Sequence, residues 1–351
     1  MMNDINIGSI AIGKDQPTYV IAELSGNHGG EISKAIEMIH AAHKAGADAI
    51  KIQVYRPDTI TLNSDKADFA IAKDNAWAAY KNLYNLYEYA HTPWEWLPEL
   101  FKHAEALGIE LFGSVFDETS VDELEQYPVK AYKIASPEIV DLALLEKVAK
   151  TGKPVIVSTG LANIGDVFTA VSHLKAHGCN DVILLKCTTA YPTPPEEVNL
   201  KTVANLEETF NCHAGLSDHT MGIGVSIAAV ALGAKVIEKH IKLADEVETV
   251  DSFFSLTIEE FQQMIVEIRR AEKAIGKVDY DLTPAASLNK NGRRSLYVSA
   301  DIKKGEAFTE QNIKSVRPGF GLPTKYKDIV LGRAASQDLT LGDRLSWDVI
   351  Q

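Results

Sequence analysis

Two histidines in the second half of the chain have the spacing expected of a metal centre. His219 directly follows an apolar segment at 213–218, and His240 ends the next such segment, at 236–240. Because successive parallel strands usually lie side by side, the two imidazoles are predicted to reach one ion. Neutral imidazoles suit Mn²⁺, Fe²⁺, Co²⁺ or Zn²⁺, and two protein ligands leave positions for substrate and water. Either histidine alone would also fit a structural, hydrogen-bonded role.

Lysines and hydroxyl side chains end most of the other apolar segments. Cations neutralise an anion and hydroxyls bind its oxygens, so the set predicts a site for a phosphate or a carboxylate. Its members are Lys51, Ser114, Lys133, Ser136, Ser158 and Ser217. A barrel with a purely structural role does not require lysines, serines and histidines at most of its strand ends. Their presence there indicates an enzyme. Lys133 or Lys186 as the Schiff-base lysine of an aldolase is a competing interpretation. Glu238 or Asp218 is expected to orient one of the histidines.

Eight short apolar segments carry these residues, and stretches of helical period separate them. The segments begin at residues 20, 49, 110, 131, 154, 182, 213 and 236. Such runs with helices between them are typical of buried parallel strands joined by crossovers. We therefore predict an α/β fold, a (β/α)8 TIM barrel rather than an open sheet, with the reaction centre at the carboxyl ends of the strands. Two amphipathic helices are predicted to end at Gly46 and Gly276.

One interval between segment starts is 61 residues long, and it marks an insertion after the second segment. Eight of the 27 aromatic residues of the chain fall between residues 77 and 101. Their spacing over 77–87 predicts a helix packed on the barrel. An aromatic wall over a pocket that binds the apolar face of a sugar ring is the functional alternative, and the two are compatible.

The C-terminal part of the chain differs from the rest in charge and pattern. The net charge is −13, yet residues 283–351 carry 11 Lys and Arg against 7 Asp and Glu. Residues 301–313 and 338–350 align at a period of 37, with Gly305 and Gly342 equivalent, which predicts two strand–turn–strand units. We expect a barrel over 1–282, a linker over 283–293 and a small β-rich domain over 294–351, which suits a lid or docking role.

Composition excludes several classes of protein. With 351 residues, 46% of them hydrophobic, the chain is typical of an ordinary soluble protein. No run of eighteen apolar residues predicts a membrane span, and the negative charge argues against a nucleic-acid partner. No secretory signal is visible, and three cysteines without zinc spacing suggest a reducing compartment, so a cytoplasmic location is expected.

Eight motifs, taken in order, closely resemble the sialic acid synthase family. They are IAELSGNHGG, KIQVYRPDTITL, YKIAS, STG, KCTTAYPTP, GLSDHTMGIG, EKH and RPGFG. Members of this family are barrel enzymes with a C-terminal SAF (antifreeze-like) domain, and GLSDHT followed by EKH is a specific pair. The insertion beginning RPDTITLNSDKADF and the TPWEW segment look more like the pseudaminate branch than the N-acetylneuraminate or legionaminate branches.

The resemblance implies a role for each site residue. Glu23 would transfer a proton and orient substrate, while His219 and His240 would hold a divalent metal, Mn²⁺ or Mg²⁺ with Co²⁺ or Fe²⁺ as alternatives. The residues implied to bind phosphoenolpyruvate are Lys51, Ser114, Lys133, Ser136, Ser158, Ser217 and, more weakly, Thr189. Those implied to face the sugar are Gln53, Tyr191, Asp251 and Arg317. Two positions depart from the family's pattern: Ser114 begins SVF in place of Thr-Pro-Phe, and Thr189 replaces the Asn of N-acetylneuraminate synthases.

The reaction implied by the resemblance is a transferase reaction. It condenses phosphoenolpyruvate with an N-acylated aldose and water, giving a nine-carbon 2-keto acid and phosphate. In the pseudaminate branch the aldose is 2,4-diacetamido-2,4,6-trideoxy-altropyranose, and N-acetylneuraminate or legionaminate synthesis is the alternative. A domain-swapped homodimer is also implied, in which Arg317 reaches the substrate of the neighbouring subunit. A non-catalytic carbohydrate-binding or assembly protein is a further interpretation, which the intact set of site residues disfavours.

Overall fold

The structure, a computed structural model, describes residues 2–243 and 248–351. It divides into two compact units, Met1–Gly276 and Lys277–Gln351. The strands are β1 (Ile5–Ile7), β2 (Ile10–Ile12), β3 (Tyr19–Glu23), β4 (Ala49–Val54), β5 (Glu110–Val115), β6 (Tyr132–Ile134), β7 (Val155–Ser158), β8 (Val182–Cys187), β9 (His213–Asp218), β10 (Val236–Lys242), β11 (Leu256–Thr257), β12 (Ser295–Val298) and β13 (Ile313–Val316). The helices are α1 (Ile32–Ala45), α2 (Pro57–Ile60), α3 (Leu83–Ala90), α4 (Leu97–Leu107), α5 (Glu118–Leu124), α6 (Leu142–Ala149), α7 (Ile164–Ala176), α8 (Lys201–Phe210), α9 (Gly224–Ala231), α10 (Ile258–Ile275), α11 (Pro284–Ser287) and α12 (Lys327–Val330).

Strands β3 to β10 of the first unit form a closed parallel barrel. Each pairs with the next along the chain, and β10 pairs with both β9 and β3. The predicted segments at 49–54, 110–115, 182–187 and 213–218 coincide with β4, β5, β8 and β9. The strands are buried on both faces, which is why they appear in the sequence as continuous apolar runs. The predicted (β/α)8 barrel is confirmed.

Glycines and capping residues set the ends of the long helices. Gly46 adopts a left-handed φ of 95° after α1, and its N–H caps the carbonyls of Ala42 and His43. Helix α10 begins with a capping box formed by Thr257 and Glu260, and it ends before Gly276. Both predicted helix ends are confirmed. Among the described residues, no helix is long and apolar enough to cross a membrane.

A short hairpin of β1 and β2 covers the amino end of the barrel. Ile5, Ile7 and Ile12 join one cluster with the barrel residues that point inward at that end. The cluster also contains Tyr19, Ile21, Ala49, Phe112, Ala131, Ile156, Ile183, Leu185 and Val236. The hairpin therefore closes the barrel on the side opposite the carboxyl ends of its strands.

Truncating Ile7, the last residue of β1, tests whether the hairpin packs against the amino end of the barrel. Ile7 is fully buried, so Ile7→Ala is expected to destabilise the protein by about 2–5 kcal/mol through lost burial and a residual cavity. Urea unfolding followed by circular dichroism measures the change. The Michaelis constants should stay unchanged, because the hairpin lies far from the carboxyl ends of the strands; a loss below about 0.5 kcal/mol would contradict the packing.

The aromatic-rich insertion contains one longer helix, but it starts later than predicted. The 77–87 spacing predicts a helix there, whereas the structure has a 3₁₀ turn at Ala78–Tyr80 followed by α3 at Leu83–Ala90. The side chain of Asn82 accepts a hydrogen bond from the N–H of Asn85 and so fixes the start of α3. A helix is therefore present in this region, as predicted, but the predicted bounds are wrong.

The second unit is built mostly from turns around a small apolar core. Its two strands, β12 and β13, pair antiparallel, and the core cluster includes Leu296, Phe308 and Leu345. The repeated segments do not form the predicted strand–turn–strand units. Instead they meet through isolated bridges such as Ile302 with Leu339, because the chain bends after every few residues. Gly305 and Gly342 do occupy equivalent turns, with φ of 83° and 94°.

Candidate active site

The carboxyl ends of the barrel strands bring the predicted residues to one cavity of about 440 Å³. Strand register explains why: Glu23 is level with His240 on one side and with Lys51 on the other. The predicted residues that line the cavity are Lys51, Gln53, Ser114, Lys133, Ser136, Ser158, Thr189, Tyr191, Ser217, His219, His240 and Asp251. Glu23 lies beneath them, fully buried and in contact with Lys51. Arg317 belongs to the second unit and is exposed.

Four buried charges form a compact network at the base of the cavity. Lys51 Nζ lies 2.9 Å from Glu23 Oε2 and 3.2 Å from Glu238 Oε1, and Lys133 Nζ lies 3.2 Å from the same Glu238 oxygen. Although burial opposes it, Lys133 and Lys51 lower the pKa of Glu238. Burial raises the pKa of Glu23, with Glu238 adding to the effect. The network thus holds the ammonium groups of Lys51 and Lys133 in place. Of its two carboxyls, Glu238 stays ionised to lower pH and Glu23 is protonated more readily.

The expectation that Glu238 or Asp218 orients a histidine is wrong. Glu238 accepts hydrogen bonds from Lys133 and from Ser217, at 3.2 and 3.1 Å, and so positions the lysine pair. Asp218 accepts from Thr220 and Ser226 on the outer side of β9. Alternation along a strand predicts the side to which these residues point, but not the partners that other strands supply.

Hydroxyl groups complete the wall next to the lysines. Ser114 Oγ accepts a hydrogen bond from Lys51 at 2.9 Å. Ser136 Oγ accepts one from the Gly160 N–H, also at 2.9 Å. In the part of the chain that the structure describes, the buried hydroxyls of Ser158 and Thr189 have no hydrogen-bond partner. Buried hydroxyls without a protein partner beside two lysines are suited to donate to the oxygens of a bound anion.

Gly160 has no side chain, which leaves space for the hydroxyls of Thr189 and Ser136. A substitution at Gly160 tests this arrangement. A Cβ added there would lie 2.4 Å from Thr189 Oγ1 and 2.9 Å from Ser136 Oγ. Gly160→Ala is therefore expected to displace both hydroxyls and to lower kcat/KM for the anionic substrate by about 10- to 100-fold. Steady-state kinetics measure it. Gly224→Ala is the control, since a Cβ added at Gly224 meets nothing within 4 Å. If the two variants had equal kinetics, the hydroxyls of Thr189 and Ser136 would not form part of the anion site.

The two histidines lie beside this anion cradle, at the ends of β9 and β10. Their ring centroids are 5.3 Å apart and their planes meet at 69°. His219 Nδ1 lies 3.1 Å from the carbonyl oxygen of Thr188, and a proton donated there leaves the lone pair on Nε2. His240 Nδ1 is buried and has no hydrogen-bond partner among the described residues. Burial, followed by the neighbouring His219, lowers the pKa of His240 and favours its neutral form. Although burial opposes it, the neighbouring Cys187 raises the pKa of His219, so coordination there requires that this ring lose its extra proton.

A second layer of polar residues surrounds the histidines. Asp251 Oδ2 lies 4.0 Å from His240 Nδ1 and accepts a hydrogen bond from Ser25. Gln53 donates to Glu23 at 3.2 Å and to Ser25 at 3.2 Å, so it connects this layer to the charge network. Burial raises the pKa of Asp251 to about 6. The two imidazoles and the buried carboxyl are donor types that bind divalent cations, although among the described residues they are not a group of three whose ligand atoms all lie within 4.8 Å of one another.

Aromatic side chains form the wall above the histidines. Tyr191 contacts Trp77, His219 and Phe254, with ring centroids 4.5–5.4 Å apart. Trp77 and Tyr87, both from the insertion, line the cavity. The insertion thus supplies α3, whose Tyr87 packs against Tyr55, and an aromatic wall that faces the pocket; binding of a sugar by that wall stays a prediction.

Cys187, in the cavity lining, and Glu138, next to a lining residue in sequence, are among the residues absent from the sequence-based predictions. Cys187 ends β8 and lines the cavity, with its Sγ 3.9 Å from His219 Nδ1. Although burial opposes it, His219 lowers the pKa of this thiol to about 7. Its place at a strand end was a usable signal. Glu138, next to the cavity residue Pro137, has its pKa raised to about 7 by burial, and no pattern in the sequence distinguishes it.

The Schiff-base interpretation receives no support at Lys186. Its ammonium group donates to the carbonyl of Cys187 and to Thr188 Oγ1, and it does not line the described cavity. Lys133 does line the cavity, paired with Glu238.

The closed barrel and the chemical groups at its carboxyl end place the protein among the (β/α)8-barrel enzymes. A model of the NeuB family matches residues 38–280, and a model of the SAF domain matches residues 293–351. The chain belongs to the NeuB family and carries a SAF domain. The resemblance to sialic acid synthases seen in the motifs is confirmed.

Individual relatives agree along nearly the whole chain. The pseudaminic acid synthase of Campylobacter jejuni is 49% identical over 331 residues, 94% of this chain and 96% of that protein. The N,N'-diacetyllegionaminic acid synthase of the same species is 37% identical over 328 residues, 92% of this chain and 96% of that protein. A solved structure, the spore coat polysaccharide biosynthesis protein spsE of Bacillus subtilis, has a TM-score of 0.68 at 32% identity and covers 99% of both chains.

Proposed function

We propose that this enzyme condenses phosphoenolpyruvate with 2,4-diacetamido-2,4,6-trideoxy-altropyranose and water, forming pseudaminic acid and phosphate. The observation that carries the proposal is the higher identity to the pseudaminic acid synthase than to the legionaminic acid synthase of one species. The lysine-and-hydroxyl cradle beside two histidines supports the same chemistry. N-acetylneuraminate or legionaminate synthesis by the same reaction is the alternative.

Phosphoenolpyruvate binds at the base of the cavity in this proposal. Lys51 and Lys133 neutralise part of its charge, and the free hydroxyls of Ser158 and Thr189 donate to its oxygens. Ser114, Ser136 and Ser217 complete the cradle. Because Glu238 holds both ammonium groups, they are in position before the substrate arrives.

The sugar reacts as an open-chain aldehyde beside His219 and His240. These two residues would hold the divalent cation, Mn²⁺ or Mg²⁺, and when bound it would act as a Lewis acid toward the aldehyde oxygen. Gln53, Tyr191 and Asp251 face the sugar and orient it. The methylene carbon of phosphoenolpyruvate then forms a carbon–carbon bond with the aldehyde carbon, and the aldehyde oxygen becomes an alkoxide, which takes the proton that the added water gives up through Glu23.

Glu23 acts on the second half of the reaction. When the carbon–carbon bond forms, positive charge develops on the carbon that carries the phosphate. The Glu23 carboxylate stabilises this charge and accepts a proton from the water that adds there. The carbon–oxygen bond to phosphate then breaks, the new hydroxyl passes its proton to the departing phosphate and becomes the keto oxygen, and phosphate leaves from the lysines.

The aromatic wall favours a sugar with fewer hydroxyls. A 6-deoxy sugar carries a methyl group where mannosamine has a hydroxymethyl, so it loses less solvation against Trp77 and Tyr191. This is why we propose the trideoxy sugar over N-acetylmannosamine.

Parallel assays with three sugars test the proposal. The full-length enzyme is given phosphoenolpyruvate, Mn²⁺ and one of the trideoxy-altrose sugar, the legionaminate precursor or N-acetylmannosamine, and phosphate release and product mass are measured. The trideoxy-altrose sugar is expected to give the highest kcat/KM, by about 10²-fold over N-acetylmannosamine. A preference for either other sugar would replace the proposal with that alternative, and no sugar-dependent phosphate release would refute both.

We further propose a cytoplasmic, domain-swapped homodimer with a linker at 283–293 between a barrel over 1–282 and a SAF domain over 294–351. The three cysteines are free, which supports a reducing compartment. The exposed Arg317 lies in RPGFG of the SAF domain and would contact the sugar of the neighbouring subunit.

Arg317→Ala tests this contact. The variant is expected to raise KM for the sugar about 10-fold or more and leave KM for phosphoenolpyruvate nearly unchanged, because only one substrate loses a charged donor. Mixing Arg317→Ala with an inactive barrel variant should restore activity if the residue acts between subunits. Equal increases in both Michaelis constants would argue against the role, with the exposed Arg333→Ala as control.

A further inference from the structure

We propose a second metal site, for Zn²⁺, formed by Glu146 of α6, His173 of α7 and His177, the residue that directly follows α7. The two histidines are four residues apart, so they lie on one side of α7, with ring centroids 4.3 Å apart. One ligand atom from each of the three side chains lies within 4.8 Å of the other two. All three residues are half-buried, so an ion can reach them from solvent.

The hydrogen bonds of this cluster prepare it for a metal. His177 Nδ1 lies 2.9 Å from the backbone carbonyl of His173, which places the proton on Nδ1 and the lone pair on Nε2. That Nε2 faces Glu146 Oε2 at 3.5 Å. His173 Nε2 is buried and has no hydrogen-bond partner in the described part of the chain.

An ordinary ion pair explains the geometry less well. A charge-assisted hydrogen bond between imidazolium and carboxylate is about 2.7–2.9 Å long, shorter than the 3.5 Å found here. Two ligands of one tetrahedral zinc ion, each about 2.0–2.2 Å from the metal, lie roughly 3.3–3.5 Å apart. Lys150 pairs with the other oxygen, Glu146 Oε1, at 2.5 Å and so leaves Oε2 to coordinate.

The ligand types select the metal. Two imidazoles and one carboxylate suit Zn²⁺, which generally binds such a donor set more tightly than Mn²⁺ does. Water fills the fourth position. Glu146 lies in the second half of α6, His173 lies in the last turn of α7, and His177 directly follows that helix. A helix that follows a barrel strand runs back toward the amino end of the barrel, so the site lies away from the cavity. Zinc there would clamp α6 to α7.

Zinc titration of the full-length protein tests the proposal. Protein stripped with EDTA and then freed of it is titrated with ZnCl₂ against a chromophoric zinc indicator. The variant His173→Gln/His177→Gln is expected to bind one zinc ion fewer per chain than the wild type. It should also lose the zinc-dependent rise in Tm that this site contributes. His219→Ala/His240→Ala should retain the site, which separates it from the proposed catalytic centre.

His40→Gln is the matched control. His40 Nε2 and His103 Nδ1 are 3.0 Å apart on neighbouring helices, but Glu99 faces the other nitrogen of His103, so these three do not converge on one point. This variant should bind as much zinc as the wild type. Glu146→Gln, on a half-exposed side chain, should weaken the site about 10-fold or more even if the double variant folds poorly. Unchanged zinc stoichiometry and affinity in both Glu146→Gln and His173→Gln/His177→Gln would overturn the proposal.

Discussion

Replacing Glu23 with glutamine is expected to lower kcat by about 10²- to 10⁴-fold, the range that a positioned acid–base group contributes. Glutamine keeps the size of the side chain and the contact with Gln53, but it can neither accept the proton of the attacking water nor offset positive charge. The Michaelis constant for phosphoenolpyruvate should change much less, because the cradle of lysines and hydroxyls remains. Steady-state kinetics with the preferred sugar provide the measurement.

The pH profile distinguishes a catalytic Glu23 from a structural one. Burial raises the pKa of Glu23, so its active, ionised form is lost as the pH falls, starting above the ordinary glutamate pKa of about 4.3. The wild type should therefore lose activity on the acid side at a pH above that value, and Glu23→Gln should keep only the part of this acid limb that Asp251, whose pKa burial raises to about 6, contributes. Glu110→Gln, at the start of β5 and the other end of the barrel, is the control. A Glu23→Gln enzyme with wild-type kcat would remove Glu23 from the mechanism.

The second large effect on activity is expected when either histidine of the proposed metal centre is removed. His219→Ala or His240→Ala is expected to lower kcat/KM by at least about 10²-fold, since electrostatic activation of the aldehyde is lost. EDTA should inactivate the wild type and added Mn²⁺ should restore it, whereas the variants should respond weakly to Mn²⁺. Activity is measured by phosphate release, and metal content by elemental analysis.

His213→Asn gives a matched comparison for those two variants. His213 is buried at the start of β9, the same strand that ends next to His219, and its Nε2 lies 2.9 Å from the carbonyl of Asn3. Losing it should reduce stability but leave the Mn²⁺ response intact. If all three histidine variants lost activity in proportion to their lower Tm, the metal assignment to His219 and His240 would fail.

The barrel could be predicted from sequence because its strands are buried on both sides. Continuous apolar runs, each followed by a helix, leave few alternatives. The ends of those runs gave the lysines, the serines and the two histidines by position, whereas Thr189, Tyr191, Asp251 and Arg317 came only from the family resemblance. The prediction of two strand–turn–strand units in the C-terminal repeat was wrong, because local pattern does not determine pairing with distant residues. Alternation around Gly305 and Gly342 predicts turns well, but the pairing between turns depends on distant partners such as Ile302 with Leu339.

The role of Glu238 shows the same limit within the site. Its position in EKH predicts that it points the same way as His240, as the shared cavity bears out. Its partner Lys133, however, is 105 residues away in sequence, and several strand ends offer cations at similar depth. Only the closed geometry of the barrel decides that the carboxylate bridges Lys51 and Lys133 rather than supporting a histidine.

The hairpin of β1 and β2 closes the amino end of the barrel, so substrates reach the described cavity from the carboxyl ends of the strands. Lys51 and Lys133 are nearly inaccessible, while the half-exposed Trp77 and Tyr191 stand nearer the opening. A sugar resting against those rings would block the way to the lysines. We therefore expect a compulsory order, with the enol phosphate entering first and inorganic phosphate departing after the keto acid. Product inhibition by phosphate should then compete with phosphoenolpyruvate alone.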